Sequence, residues 1–484
     1  MMVAQLPMSD QQEDLSRQQR RQRERRYKKA ARKLKKLVAR AAVPVTFDNT
    51  TVTSFGNFGL FEALKQSIGF SDILLQQLTV RRHHNCSYSA AELIETTVDC
   101  AALGLLRFSH MEALKHDPGY RRLKEIEQVP DERTLRYLLS QLTPEHIEQL
   151  REVNETVVTL KGDLDGPREV WLDFDDSVIT VFGNQEGSQT GYNPRYHGRP
   201  SYKAKVAFIS QTEELVNAGL YGGKTASNGG FLEFLQDTLS NLNPRKTVVK
   251  GVRMDRGFFD EKNFIYLEDN SLEYVCKAKL TSGMRKIIDY LNEQNAWEQL
   301  DETYATAEIT VPLPSWSRAR RIVFIRELQK PKTEQGQLTL DLKTYQYQAI
   351  VTNIEDLTPE EVWHWYNKRC NIENKIDELK VGLGLDQTSQ DEMQRNMAFM
   401  WIKIIAYNLL NWFRLALLPQ KASRYEVPSI RRLILNVPGN IVGNGRYRHV
   451  RLAPNKWLQN LVCLIKTKLQ EFIHRRAWVL ADSS

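Results

Sequence analysis

The sequence predicts an α/β protein in which a mixed sheet follows an all-helical N-terminal region. Three observations support this fold class. Between about Phe47 and Leu150, apolar residues recur at steps of three and four, which is typical of amphipathic helices. From Val170 the period changes to two, which is typical of strands. Further along, helical and strand-like segments alternate, and 484 residues are enough for two or three domains.

A strongly basic arm, residues 1–46, precedes the predicted helices. Between Arg17 and Arg40, thirteen Lys or Arg residues stand against the single acid Glu24, so this stretch carries a charge of +12. The whole chain carries +8, which leaves −4 for the remainder. Such an arm can hold a polyanion without reading its sequence. A solvated tail or a membrane-surface helix is the alternative, but basic residues surround most of the helical wheel, which favours nucleic acid.

The helical region, residues 47–160, is expected to bind DNA. Pro130 and Asp131 are typical of a turn that starts a helix, and the run from Thr134 to Leu139 would continue that helix. Two short helices joined by such a turn can form a helix-turn-helix reader of DNA. A plain helical bundle gives the same pattern, because any pair of amphipathic helices does.

A sheet-containing domain is predicted at residues 161–420. The segments VWLDFD, VITVFG and YKAKVAFIS are predicted strands. A helix (GGFLEFLQDTLSNL), a strand (KTVVKGVRMD), a helix (FDEKNFIYLED) and a strand (LEYVCKAKL) follow. Three strands followed by alternating helix and strand is the order of the ribonuclease H-like fold.

A β-rich insertion is expected within this domain at about residues 281–345. Polar loops and strand-like segments such as RIVFIREL replace the regular alternation there. The strand YQYQAIVTNI follows, and Thr358, with a proline and two acids after it, marks the start of one long helix.

An apolar stretch from Phe399 is as long as a membrane span. It contains Lys403 and Arg414, and a charge at the centre of a bilayer costs about 2.5–3.5 kcal/mol, so we expect a core helix and no membrane association. The first residues lack the apolar run of a signal peptide, and five cysteines without a CxxC pair fit a reducing cytosol. Residues 421–484 are expected to grip DNA or to mediate dimerisation, and both remain open.

Three acids from separate elements are candidates for a metal site. Asp175 lies on the first strand, Asp255 ends a later strand, and Glu373 lies on the long helix. Two Mg²⁺ ions about 3.5–4 Å apart can activate a water or a 3′-hydroxyl and stabilise a leaving oxygen, and Mg²⁺ prefers carboxylate ligands. Asp173 shares a strand face with Asp175 and remains open as the first acid, whereas Asp176 points away if the strand continues. A turn or cap role is the alternative for strand-end acids.

Four polar residues of the long helix share one stripe. Steps of three, four and seven place Tyr366, Arg369, Glu373 and Lys380 on one side of a helix. The alternative is a solvated face, on which Arg369 and Glu373 form an i,i+4 pair worth about 0.3–0.5 kcal/mol. Helical spacing alone does not separate the two interpretations.

These residues resemble the signature of a large group of bacterial insertion-sequence DDE transposases, Y-x2-R-x3-E-x6-K. The first strand resembles the D-x-[ST] block of that group, and RMDRGFF resembles its R-x-D-x-G-F block. The segment 183–202 is similar to a loop between the first strands in one branch. The matching residues are Tyr366, Arg369, Glu373 and Lys380 on the helix, Asp175, Asp176 and Ser177 on the first strand, and Arg253, Asp255, Gly257 and Phe258.

The resemblance implies a ribonuclease H-like catalytic domain with two metal ions. Asp175, Asp255 and Glu373 would bind two Mg²⁺ ions, which Mn²⁺ could replace. Arg369 and Tyr366 would contact the phosphate beside the cut. In the same way, Lys380 would hold another backbone phosphate.

Aromatic and cationic residues interleave in the loop 183–202, and we expect them to contact DNA near the active site. A hairpin loop with incidental charge is the alternative. In the insertion, Trp297 or Trp316 could trap a flipped base, although most tryptophans are core residues. The loop residues concerned are Tyr192, Arg195, Tyr196, His197, Arg199 and Tyr202.

The resemblance also implies a reaction and its partners. We expect a transposase that binds terminal inverted repeats, cleaves at the element ends and joins the freed 3′-hydroxyls to target DNA. Each DNA end needs a reader and a catalytic site, which predicts a homodimer on paired ends. The expected location is the bacterial cytoplasm, in association with the nucleoid. A non-catalytic DNA-binding regulator and a ribonuclease H-like nuclease or resolvase are the alternatives.

Overall fold

The computed structural model describes residues 16–41, 49–329, 344–443 and 448–482. The chain divides into two units, Met1–Thr50 and Thr51–Ser484. The first unit contains helix α1 (Arg17–Ala41), which carries the basic arm and whose described side chains are almost all exposed. The arm is therefore a highly charged helix that buries little of its own surface.

The second unit contains fifteen helices among its described residues, and they account for the helical N-terminal region, the connections of the sheet and the end of the chain. They are α2 (Phe58–Ile68), α3 (Phe70–Gln77), α4 (Ala90–Leu103), α5 (Glu112–Lys115), α6 (Pro118–Lys124), α7 (Glu132–Gln141), α8 (Pro144–Asp165), α9 (Phe231–Ser240), α10 (Glu261–Asp269), α11 (Ser282–Glu293), α12 (Pro359–Asn367), α13 (Cys370–Asp377), α14 (Met393–Trp412), α15 (Val427–Ile430) and α16 (Lys456–Asp482).

The described strands form one large mixed sheet and one small sheet. They are β1 (Val52–Thr53), β2 (Arg168–Thr180), β3 (Gln189–Thr190), β4 (Pro200–Ile209), β5 (Leu215–Gly222), β6 (Thr247–Met254), β7 (Glu273–Lys277), β8 (Glu298–Gln299), β9 (Tyr304–Val311), β10 (Arg320–Gln329), β11 (Thr344–Thr352), β12 (Gly439–Val442) and β13 (His449–Leu452).

The centre of the large sheet has the order β5-β4-β2-β6-β7. The strands β2, β4 and β5 are antiparallel, whereas β2, β6 and β7 run parallel. Helix α9 connects β5 to β6, and α10 connects β6 to β7. This is the ribonuclease H-like arrangement that the sequence predicts, with an all-helical stretch before it apart from the two residues of β1.

Two of the three antiparallel strands differ from the predicted ones. VWLDFD and VITVFG are parts of the single strand β2, because Asp176 and Ser177 stay extended opposite Lys205 and Ala204 of β4. The third strand is β5, whose sequence LVNAGLYG lacks a regular alternation. The number of strands was predicted correctly, but their boundaries were wrong because pairing, and not local pattern, keeps β2 continuous.

The β-rich insertion extends the main sheet. Strands β9, β10 and β11 form an antiparallel meander, and β8 pairs with β9 at its edge. The last strand of the meander, β11, pairs antiparallel with β7. The insertion is therefore joined through backbone hydrogen bonds to β7, one of the parallel strands of the large sheet.

Helix α14 is the core helix that the sequence predicts. Nearly all its side chains are buried, and its polar residues satisfy the turn between β4 and β5. Asn408 exchanges hydrogen bonds of 3.0 and 2.8 Å with the backbone of Leu215. In the π-helical turn Phe413–Leu417 that follows α14, Arg414 pairs with Glu213 at 2.7 Å. Among the described residues, no helix combines the length and apolar character needed to cross a bilayer.

One apolar core joins the helical N-terminal region, helix α14 and the C-terminal helix α16. Phe58 of α2, Leu93 of α4, Trp401 of α14 and Ile465 of α16 all belong to it. A second core on the sheet includes Leu172 and lies under the insertion and helices α9 to α11. Strand β1 pairs with β12, so both ends of the second unit meet in the small sheet. The predicted functional borders at 160 and 420 thus fall inside one compact unit.

Candidate active site

Strands β2 and β6 bring two of the predicted acids to one edge of the sheet. Their parallel register pairs Asp173 with Arg253 and Phe174 with Met254. Asp175 follows on β2, and Asp255, whose backbone is still extended, is the first residue after β6. Side chains at paired positions of neighbouring strands point to the same face, so the register sets these two carboxylates beside each other.

Asp173 forms a buried ion pair with Arg253. Its two carboxylate oxygens accept hydrogen bonds from Arg253 at 2.6 and 2.8 Å, and it is only 3% exposed. Arg253 also donates to the hydroxyl of Ser210 and, at 2.9 Å, to the carbonyl of Trp365. Burial raises the pKa of Asp173, while Arg253 opposes that effect. This geometry favours Asp175 over Asp173 as the first metal-binding acid.

Asp176 faces the opposite side of the strand from Asp175. Its carboxylate lies 3.2 Å from the ammonium of Lys203, which is also 3.4 Å from the hydroxyl of Ser227. Lys205, the cross-strand partner of Asp176, donates to the carbonyl oxygens of Ala226 and Ser227. Burial lowers the pKa of Lys205 to about 8. These two lysines therefore fix the loop that follows β5.

The helix that carries the stripe is not continuous, so the prediction of one long helix is wrong. It consists of α12, α13 and a π-helical turn at Glu378–Gly382. Between α12 and α13, the amide of Arg369 donates to the carbonyl of Tyr366 at 2.9 Å, an i to i−3 bond that tightens the backbone. Tyr366 ends up on α12, Glu373 on α13 and Lys380 on the π-helical turn.

Arg369 lies between the predicted metal ligands. One nitrogen of its guanidinium is 3.1 Å from Asp175 Oδ2, and another is 3.3 Å from Glu373 Oε1. The side chain is buried, and the negative charges of Asp175 and Asp255 raise its pKa against the effect of burial. Two acids from different elements thus contact one cation, and the charge of Asp255 acts on it from beyond ion-pair distance.

The predicted acids differ in their exposure to solvent. Asp175 is largely buried, and burial raises its pKa to about 6 although Arg369 and the amide of Asp176 favour the ionised form. By contrast, the side chain of Glu373 is 62% exposed. Tyr366 is buried, its ring centroid is 5.8 Å from the guanidinium of Arg369, and burial raises its pKa.

The donor set of the three acids fits a hard divalent cation, because carboxylate oxygens are the ligands that Mg²⁺ prefers. Their oxygens are more widely spaced than those of a compact ligand shell. Among the described residues, three acids whose oxygens all lie within 4.8 Å of one another occur elsewhere, at Glu62, Glu95 and Asp99.

The compact acidic cluster in the helical region is an ion-pair network. The ammonium of Lys65 lies 2.6 Å from Asp99, and that of Lys124 lies 2.8 Å from Glu62; each lysine also contacts the other acids. Burial would raise the pKa of Glu95, but the two lysines lower it to about 2. Two ammonium groups therefore already pair with all three acids, and we assign no metal to this cluster.

A groove of about 650 Å³ runs along the candidate site and contains part of the predicted DNA-binding loop. Asp255, Lys380 and Arg195 line it, together with Tyr192 and Tyr196. We call it the catalytic groove. It therefore combines one predicted metal ligand with the cations and rings that the sequence assigned to DNA.

The other predicted DNA contacts do not themselves line the catalytic groove, although Phe182, which lies against Arg199, does. The guanidinium of Arg199 lies 5.3 Å from the ring centroid of Phe182. Tyr202 is fully buried and donates its hydroxyl to the carbonyl of Glu186, so the prediction that its ring stacks on a base is wrong. Trp316 is partly buried and packs against Phe259, which precedes α10 and lies outside the insertion.

Comparison with known families decides the class of the protein. A family model described as "Transposase DDE domain group 1" matches residues 35–473. The chain belongs to this DDE transposase family. Transposition of DNA is thus its general activity, and the family generally uses divalent metal ions. No curated protein matched the chain.

A solved structure similar to this DDE transposase is described as "Cryo-EM structure of piggyBac transposase synaptic complex with hairpin DNA (SNHP)". The two chains are 12% identical with a TM-score of 0.40, and the similarity covers 87% of this chain and 82% of the other. A similarity of this size is too weak to support a functional assignment.

Within the DDE transposase, the identity of the three acids stays a prediction based on motif order and on the geometry around Arg369. Sequence reasoning missed Lys203 and Lys205, which lie beside the site. Their signal was present in YKAKVAFIS, where two lysines alternate on one face of an otherwise apolar strand. Lysines that are buried at such positions require nearby acceptors or acids.

Proposed function

We propose that this transposase binds the terminal inverted repeats of its own element, cleaves the DNA at the element ends and joins the 3′-hydroxyls to target DNA. The observation that carries the proposal is the contact of Arg369 with both Asp175 and Glu373, together with the position of Asp255 at the end of β6, the strand next to β2 in a ribonuclease H-like sheet. Acids from different elements that meet at one point are what two-metal phosphodiester transfer requires.

Asp175, Asp255 and Glu373 would hold two Mg²⁺ ions, and Mn²⁺ could replace them. The ions would activate the attacking water or 3′-hydroxyl and stabilise the leaving oxygen. Arg369 would transfer its guanidinium from the carboxylates to the phosphate at the cut, where Tyr366 also lies.

Further cations would hold the DNA beside the reacting phosphate. Lys380 and Arg195 line the catalytic groove and would contact backbone phosphates there. Arg199, held against Phe182, would contact the DNA further from the cut. These contacts orient the substrate and carry no sequence information.

The biological setting belongs to the same proposal. The Y-R-E-K residues support an origin in a bacterial insertion sequence, with action in the cytoplasm on nucleoid DNA. Two protomers would act on paired ends, because each end requires its own catalytic site. The basic arm and the helical region would supply the binding to the terminal repeats.

The substitution Glu373→Gln tests the proposed chemistry. It removes one charge from the triad and keeps the shape of the side chain, so DNA binding should be retained while Mg²⁺-dependent cleavage falls by about 10³-fold or more. The measurement is incubation of the purified chain with labelled element-end DNA and Mg²⁺, scored for cleaved and joined products. Glu360→Gln, an exposed glutamate on α12, is the matched control and should cleave normally.

The same assay separates the alternatives. Equal cleavage by wild type and Glu373→Gln would rule out the triad. Cleavage without joined products would favour a ribonuclease H-like nuclease or resolvase. Tight binding without any cleavage by the wild type would favour a non-catalytic regulator.

A further inference from the structure

We propose that a second groove, on the insertion side of the sheet, binds single-stranded DNA that continues from the catalytic groove. This inference deepens the proposed function, because the strand would be one that is freed at the cut. The groove has a volume of about 830 Å³. We call it the insertion groove.

The charge of the insertion groove fits a polyanion. Arg256, Lys277, Lys279 and Arg285 line it, and none of the described residues along it is acidic. The four cations come from different elements, namely the turn after β6, the end of β7, the loop that follows and the first turns of α11. The fold therefore concentrates positive charge here although the residues outside Arg17–Arg40 carry a net charge of −4. A backbone of phosphates would neutralise this concentration.

Tyrosine rings on β11 distinguish a single strand from a duplex. Tyr345 and Tyr347 both line the insertion groove. They are two positions apart on β11 and so share one face, and their ring centroids are 6.3 Å apart. The guanidinium of Arg326 lies 4.8 Å from the ring centroid of Tyr345, and Trp297 packs against Tyr347. The rings are thus held in place before any ligand arrives. Fixed rings beside cations suit unpaired bases, whereas duplex bases already stack on one another.

The two grooves are continuous at the turn after Asp255. Arg256 and Gly257 line both of them. In addition, the ammonium of Lys277 lies 5.9 Å from the ring centroid of Tyr366, next to Arg369. A strand that leaves the predicted metal ligands can therefore enter the insertion groove without crossing the sheet.

The test is metal-free binding of a fluorescent oligonucleotide of mixed sequence to the full chain, measured by anisotropy. Lys279→Ala combined with Arg285→Ala should weaken binding at least tenfold, because both exposed cations line the groove. The matched control combines Arg245→Ala with Lys250→Ala, which removes two exposed cations at the other end of β6. It should change the dissociation constant less than twofold. The basic arm contributes equally to all these proteins.

A second substitution tests the rings. Tyr345→Leu keeps an apolar side chain and removes the stacking surface, so single-strand binding should weaken about fivefold while circular dichroism stays unchanged. Binding of the matching duplex should change less than twofold. Equal losses for duplex and single strand would overturn the proposal, as would equal affinities of the groove variant and its control. Tighter binding of the same sequence as RNA would also overturn it.

The outcome is separable from that of the proposed function. Because the assay contains no metal, Glu373→Gln should bind the oligonucleotide as wild type does. Two results together support both the proposed function and the single-strand site. They are loss of cleavage in Glu373→Gln and weaker oligonucleotide binding by the groove variants. Groove effects in a wild-type chain that never cleaves would refute the proposed function and leave this inference standing.

Discussion

Asp173 and Asp175 occupy one face of one strand, yet their neighbours give them different chemistry. Arg253 holds both oxygens of Asp173 in the interior. Arg369, which also contacts the exposed Glu373, holds one oxygen of Asp175. A carboxylate whose partner has an alternative contact can be released to a metal, whereas a carboxylate in a closed pair cannot be released without leaving a buried charge.

The substitution Asp173→Asn should therefore be structural in its effect. It leaves Arg253 buried without its charged partner, and we expect a loss of about 3–5 kcal/mol in the free energy of unfolding, measured in urea. Asp175→Asn should lose Mg²⁺-dependent cleavage while its free energy of unfolding changes by about 1 kcal/mol or less. Normal stability of Asp173→Asn together with lost cleavage would reverse the two assignments.

Lys403 predicts a pH effect on stability. The residue is fully buried on α14, and its ammonium donates to the carbonyl of Gly384 at 2.5 Å. Burial lowers its pKa from 10.5 to about 7, although Asp386 opposes this shift. The folded protein therefore bears the cost of a buried charge below pH 7. Between pH 7 and pH 10.5, Lys403 is mostly neutral in the folded chain but still protonated in the unfolded chain. The free energy of unfolding therefore rises as the pH rises through this range.

Relative to Lys403→Met, the wild type should gain about 1–3 kcal/mol of stability between pH 7 and pH 9. Denaturant unfolding of both proteins at the two pH values measures this difference, and using the difference cancels the titration of other groups. A constant difference would mean that Lys403 keeps one protonation state over the range.

The sequence could predict which acids matter only up to a point. Alternation placed Asp173 and Asp175 on the same face of β2. What separates them is the parallel register that sets Arg253 beside Asp173, and that register depends on a strand about eighty positions away. Local patterns do not contain this pairing. The alternation of Lys203 and Lys205 is visible in the local sequence, but their contacts with Asp176 and Ser227 are not.

At the scale of elements, Arg431 joins the helical N-terminal region to the segment that carries Lys380. Its buried guanidinium donates to Ala102 O at 2.8 Å, and also to Ala101 O and Gly382 O. These carbonyls belong to the last turn of α4 and to the π-helical turn after α13. One side chain thus satisfies the C-terminal ends of two helices from distant parts of the sequence.

Arg431→Met should leave those carbonyls without donors and cost about 3 kcal/mol of unfolding free energy, because each buried unsatisfied group costs about 1–3 kcal/mol. Thermal or urea unfolding measures the effect. Arg432→Met, at the exposed neighbouring position, is the control and should unfold as wild type does. An equal stability of the two variants would show that the α4 contact is dispensable.

Elements with a strong local pattern were predicted well, as α9, β6, α10 and β7 show. The prediction failed where pairing or local strain decides the outcome. The continuity of β2 depends on β4, and the break between α12 and α13 depends on a tight turn at Arg369. The attachment of the insertion through β11 and β7 is also non-local, and only its β-rich character was predicted.

At the scale of the whole molecule, the compact unit Thr51–Ser484 combines the helical region and the sheet in a shared core, whereas α1 belongs to a separate unit. If the exposed cations of α1 bind DNA as we propose, their contribution can be removed without disturbing the core. The charge of +12 predicts its physical nature, because phosphate contacts release counterions and depend on salt.

Deletion of residues 1–41 should weaken DNA binding most strongly at low salt. Each lost phosphate contact lowers the slope of log affinity against log salt concentration by about 0.9, so the loss of several contacts should give a clearly shallower slope. Anisotropy titrations at several salt concentrations measure the slope. The melting temperature should stay unchanged, and an unchanged slope would exclude the arm from DNA binding.

In the proposed metal site, the guanidinium of Arg369 would take the place of a metal ion while the protein folds. Carboxylates brought together without a cation repel one another, and some metal sites remain unfolded until the ion arrives. Here a tethered positive charge travels with the acids and relieves that repulsion. The chain would therefore fold in a cell that is short of divalent ions. It would become active only when the metal ions bind. A chelator should switch off cleavage and leave a folded protein.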